Sequence, residues 1–128
     1  KDIPSPAGGC LLTDPAIGTR VLKVLREKRP LTPLTAELLT VGRHIFEEDH
    51  WMVLGRNRAE NLAIFDLVHS HYPTYSLNEP SPLAVIVQGK KDEELLKKWL
   101  MKYSKKAREA AEQQKNVEVI EIKTKNEI

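Results

Sequence analysis

One cysteine, Cys10, stands in 128 residues, so no internal disulfide can form, and a reducing compartment is the expected setting. There is no long apolar run and no signal-peptide pattern, which makes a soluble cytoplasmic protein with no membrane partner the expectation. Neither a G-x-x-x-x-G-K-[ST] loop nor a G-x-G-x-x-G turn occurs, so nucleotide binding by those routes is not expected. One cysteine and four histidines make a poor metal set. His69 and His71, two positions apart, fall on different faces of a helix, and no tetrahedral site is expected. H-E-x-x-H and G-x-S-x-G are also absent. An independent enzyme is hard to assemble from what remains, and no cofactor is expected in this stretch of chain.

Charge is abundant but balanced. Twenty Lys and Arg stand against eighteen Asp and Glu, a net charge of +2, so any basic face must come from local segregation. Lys1 is not an initiator methionine, and Ile3-Pro4-Ser5-Pro6-Ala7-Gly8-Gly9 has the composition of a linker. Residues 1–14 are therefore expected to join a missing upstream domain to one domain over 15–128, a length that buries one ordinary core.

Thr13-Asp14-Pro15 starts a helix, with Thr13 or Asp14 as its cap, whose apolar face is Ile17, Val21, Leu22 and Leu25; Pro30 and Pro33 end it. A short helix capped by Thr35 follows and stops at Gly42. Arg43 to Phe46 and Trp51 to Leu54 form two strands around Glu47-Glu48-Asp49-His50, a hairpin composition. Gly55 gives the backbone freedom to leave the second strand, and Asn57 with Glu60 has the spacing of a capping box opening a helix that carries Leu62, Ile64, Phe65, Leu67 and Val68 inward. Strands are expected at 74–77 and 83–87. The spacing of Leu95, Leu96, Trp99, Leu100, Tyr103, Ala107 and Ala110 predicts one long amphipathic helix over 92–113. Val117 to Lys123 reads as an edge strand with a bulge at Val119-Ile120. Hairpins outnumber β-α-β units, so the fold class is α+β with a small, mainly antiparallel or mixed sheet.

Three groups of residues could carry function. Cys10, after Gly8-Gly9, is a candidate thiolate nucleophile or sulfur carrier, or else a small buried hydrophobe beside Leu11-Leu12. Lys98, Lys102 and Lys105, with Lys106 and Arg108, form a basic stripe able to follow a phosphate backbone; the alternative is a solvated face whose cations the helix dipole favours near its C-terminus. At the Gly55 corner the fold needs Asn57 and Glu60, which leaves Arg56, Arg58 and Asn61 in surplus near a helix N-terminus; Arg43 and His44 join them if the hairpin forms.

Trp51-Met52-Val53-Leu54-Gly55-Arg56-Asn57 with Glu60-Asn61 resembles the strand-glycine-helix signature of the NFACT-R RNA-binding domain. Pro80-Ser81-Pro82-Leu83-Ala84-Val85-Ile86-Val87 is similar to its second signature strand, and Tyr103-Ser104-Lys105-Lys106-Ala107-Arg108 to its tyrosine-serine-basic run. Ser5 to Pro15 and Val41-Gly42-Arg43-His44 resemble the branch found C-terminal to PP-loop ATPase domains of tRNA thiouridine synthase-like proteins. The strand Thr74-Tyr75-Ser76-Leu77 lacks the histidine and acidic residues usual after it, so no site built on those is carried over. The resemblance implies an RNA-binding, specifically tRNA-binding, module of a tRNA-modifying protein, with ATP bound by the upstream PP-loop domain and Cys10 placed near the junction. Sulfur handling by Cys10, and dimerisation through the Trp99 face, are the alternative roles.

Overall fold

The structure, a computed structural model, describes residues 15–128. Cys10 and the caps expected at Thr13 and Asp14 lie outside the described residues. The described residues divide into two compact units, one ending at residue 40 and the other spanning residues 41–128.

In the first unit, helix α1 (Pro15–Arg26) begins on its proline and ends where Lys28 turns into the left-handed region at φ 53°. The expected apolar face is corrected: Val24 is buried, while Leu22 and Leu25 are 53% and 56% exposed. At 3.6 residues per turn Leu25 lies about 100° round the helix from Val24 and Leu22 about 160°, so burying Val24 turns both outward. The Arg20 guanidinium donates to the Leu39 carbonyl at 2.7 Å. Helix α2 (Pro33–Leu38) is capped by Thr32 rather than Thr35. Pro33, lacking an N–H, takes the first helical position, which makes residue 32 the cap. Thr35 instead completes a reciprocal box, its N–H bonding Thr32 Oγ1 at 3.2 Å and its Oγ1 accepting the Thr32 N–H at 2.7 Å.

The second unit is built on a five-stranded sheet: β1 (Arg43–Glu47), β2 (His50–Leu54), β3 (Thr74–Leu77), β4 (Ala84–Gln88) and β5 (Val119–Ile122), ordered β1-β2-β4-β3-β5. Every neighbouring pair is antiparallel. The β1–β2 hairpin closes on the Glu47–His50 pair, leaving Glu48-Asp49 as a two-residue turn with Glu48 at φ 52°. β5 pairs with β3 in unbroken register from Leu77–Val119 to Thr74–Ile122, so the bulge expected there is absent. The irregularity lies in β2 instead, where the β4 partner jumps from Gln88 opposite Trp51 to Ile86 opposite Met52.

Side chains alternate across the sheet, and helices serve both faces. Ile45, Met52, Leu54, Tyr75, Leu77, Ala84 and Ile86 pack with Leu96, Leu100, Ala107 and Ala110. On the opposite face Ile64 of α3 (Arg58–Val68) comes up to Val53 beside Gly42, whose φ of 74° and close approach to the Leu54 carbonyl leave no room for a Cβ. His44, Phe46 and Trp51 cluster on that face too, with ring centroids 5.3 to 6.2 Å apart.

The single long helix is replaced by two, α4 (Glu93–Lys102) and α5 (Lys105–Glu112). Ser104 is extended at φ −127°, ψ 99°, and its buried hydroxyl donates to the Pro80 carbonyl at 2.5 Å while accepting the Ala107 N–H at 3.1 Å. A turn 24 residues upstream thus holds the serine out of helical conformation and makes it the cap of a new helix. The buried positions on both sides keep a three-to-four-residue spacing, which is why periodicity alone reads straight through the break.

Candidate functional site

The Gly55–Asn61 corner forms as a strand, a glycine and a capped helix, but its bonds run differently from the expected box. Asn57 Oδ1 accepts the Glu60 N–H at 2.9 Å. The Glu60 carboxylate reaches one residue further back than Asn57, taking the Arg56 N–H at 2.9 Å and gripping the Arg56 guanidinium through Nε (2.9 Å) and Nη2 (2.7 Å). Arg56, with backbone N–H groups of Arg56 and Gly42, holds the Glu60 carboxyl down to about 2. Such a two-pronged contact uses the planar donor fork that lysine lacks.

Asn61 is also engaged by the fold. Its Oδ1 accepts the Leu83 N–H at 3.1 Å, and the neighbouring Gly55 N–H donates to the Leu83 carbonyl at 3.0 Å. A Cβ on residue 55 would stand 1.9 Å from that Oδ1. Gly55 is required because a side chain must pass where its Cβ would be; its φ is not in the left-handed region, so the expected need for backbone freedom is corrected. Nothing in the local sequence marks Asn61, because its partner lies 22 residues away.

Around this corner lies an open hollow of about 250 Å³, lined by Gly55–Arg58, Asn61, the Ser81-Pro82 turn and Tyr103. The Arg43 guanidinium sits 4.2 Å above the Tyr103 ring. Arg43, Arg56 and Arg58, proposed from sequence as one group, are thus brought together around Tyr103, which the sequence places on a helix face and in the tyrosine-serine-basic run but not among the candidate site residues. Its signal was present: an aromatic followed by the Ser104 cap and two lysines.

The remaining expected residues divide. His44 is structural: the Trp51 indole N–H donates to its Nδ1 at 3.0 Å, so that nitrogen carries no proton and Nε2–H donates to the Val41 carbonyl at 3.1 Å. Lys98 pairs with Glu47 at 3.0 Å, and the Trp99 indole donates to the same carboxylate at 3.3 Å; both hold it below the usual carboxyl range, Lys98 more strongly. Lys102 Nζ lies 4.7 Å from the Trp99 ring centre and 5.6 Å from that of Tyr103. Arg108 closes the end of α4 by donating to the Met101 carbonyl at 2.8 Å and to that of Lys102.

Arg58, Lys105 and Lys106 are exposed and make no ion pair, side-chain hydrogen bond or ring contact among the described residues. The helix break changes what the two lysines mean. At the C-terminal part of one long helix the dipole would favour them; in the first turn of α5, which carries no acidic residue, it disfavours them. Folding gives no reason for cations at these positions.

Among the described residues no group of three or more His, Cys, Asp or Glu could hold a metal ion, and no helix is long and apolar enough to cross a membrane. No protein family, curated protein or solved structure matches the chain.

Proposed function

We propose that residues 41–128 bind structured RNA, tRNA in particular, by its phosphate backbone, along a surface running from Arg58 past Tyr103 and Arg43 to Lys102, Lys105 and Lys106. The observation that carries this reading is the pair of lysines in the first turn of α5, where helix electrostatics oppose them and no acid offsets them. Arg58 adds a third unpaired cation at the rim of the hollow beside Tyr103. Phosphate contacts of this kind give affinity without sequence reading. The hollow is smaller than the roughly 300 Å³ at which pockets for whole small molecules begin, which favours one unit of a polymer over a free cofactor. In the thiouridylase-like setting that the sequence resemblance implies, ATP would belong to an upstream PP-loop domain and this unit would hold the RNA.

The test is tRNA affinity measured across a salt series for the unaltered chain and for Lys105→Glu. Affinity should fall as salt rises, and the variant should bind more weakly with a log–log slope shallower by about 0.7–0.9, the value of one lost phosphate contact. Salt-independent binding, or an unchanged slope in the variant, would remove the proposal.

A further inference from the structure

Two aromatic rings stand beside the unpaired cations. Trp99 and Tyr103, one helical turn apart, are each half-buried, with planes 16° apart and centroids separated by 6.4 Å. The charged groups lying over them are Lys98 and Lys102 on Trp99, and Lys102 and Arg43 on Tyr103. Lys98 is already paired with Glu47, whereas Lys102 is exposed on a flexible stem, so its ammonium group can leave the rings for a phosphate. Half-exposed rings beside exposed cations are the combination that holds unpaired nucleotides, because every base has a face to stack and every nucleotide a phosphate to pair. A duplex hides its base faces and offers ribose and phosphate only.

We infer that the Trp99–Tyr103 pair, with the hollow beside Tyr103, takes one unpaired base, Lys102 and Lys105 holding flanking phosphates, so that the surface selects single-stranded RNA over duplex. This rests on the RNA-binding reading above and adds the class of RNA segment: a loop or an end rather than a stem.

The two tryptophans supply the readout, since Trp51 is fully buried and Trp99 is not. The whole chain is titrated with an unstructured RNA strand of about eight nucleotides, within the range of single-strand sites, and with the duplex of that strand and its complement. The strand should change tryptophan emission and bind about tenfold more tightly than the duplex, the contribution of one stacked base. Tyr103→Leu, which keeps an apolar side chain at the site, should lose that factor for the strand and leave duplex affinity alone. Trp99→Phe, which removes the indole from the pair, should lose the emission change and bind the strand more weakly. Equal affinity for the two forms, an equal effect of Tyr103→Leu on both, or an emission change that survives Trp99→Phe would overturn the inference. If the forms bind equally and Lys105→Glu weakens both, the inference fails while RNA binding stands; if neither binds at low salt, the RNA reading itself fails.

Discussion

Two helices of the second unit begin with basic residues, and they handle the resulting charge in opposite ways. At the start of α3, Arg56 is clamped by Glu60, the carboxylate lies in the first turn where the dipole favours it, and Asn57 caps the end. At the start of α5, Ser104 caps the end, but Lys105 and Lys106 stand in the first turn with no acid beside them. The first corner is self-consistent as folding apart from Arg58, which stands unpaired in the first turn; the second is not. A conspicuous motif therefore marks the framework, while the cations that folding does not account for are Arg58 at its edge and the two lysines where a helix is broken and they are left at the unfavourable end.

Breaking the framework corner should cost stability. Asn61→Ala leaves the buried Leu83 N–H without its acceptor and is expected to lower unfolding free energy by about 2 kcal/mol, measured by urea titration. A loss of RNA affinity at unchanged stability would place Asn61 with the α5 lysines instead.

The Arg56–Glu60 clamp makes a smaller, pH-dependent contribution. Because the folded Glu60 carboxyl is held at about 2, below its ordinary range, its stabilisation is complete above pH 4.5 and is lost as pH falls from there toward 2. With Arg56 half exposed to water, about 1–2 kcal/mol is expected rather than the full value of the shift. Unfolding followed from pH 7 to pH 2 should show this loss in the unaltered chain and a flatter curve in Glu60→Gln. Parallel curves would mean that the clamp does not hold the corner.

Much of the frame was legible in the sequence because it is written locally. Trp51–Leu54 as a strand, Asn57 as a cap, and the strands at Thr74–Leu77 and near Ala84–Gln88 follow from apolar runs, breakers and cap spacing. What escaped depends on partners far along the chain. Ser104 breaks a periodic helix only because the Pro80 carbonyl is there to receive its hydroxyl, and Asn61 looks surplus until Leu83 is seen to donate to it. His44 was grouped with the basic corner, yet the Trp51 indole fixes it as a neutral acceptor. The apolar spacing of the first helix points to Leu22 and Leu25 as facing inward, and Val24 faces inward instead. Within the candidate site the cations were visible and their division was not: a sequence lists arginines and lysines but does not say which of them a carboxylate has already taken.

The division between the two corners is tested most directly by measuring unfolding free energy and tRNA affinity together in Arg56→Gln and Lys105→Gln. Arg56→Gln should lose about 1 kcal/mol of stability and keep its RNA affinity nearly unchanged. Lys105→Gln should keep or gain a few tenths of a kcal/mol, since a cation leaves a helix N-terminus, roughly 0.3–1 kcal/mol at most, and should bind RNA more weakly. The account is contradicted if Arg56→Gln weakens RNA binding as much as Lys105→Gln while leaving stability untouched.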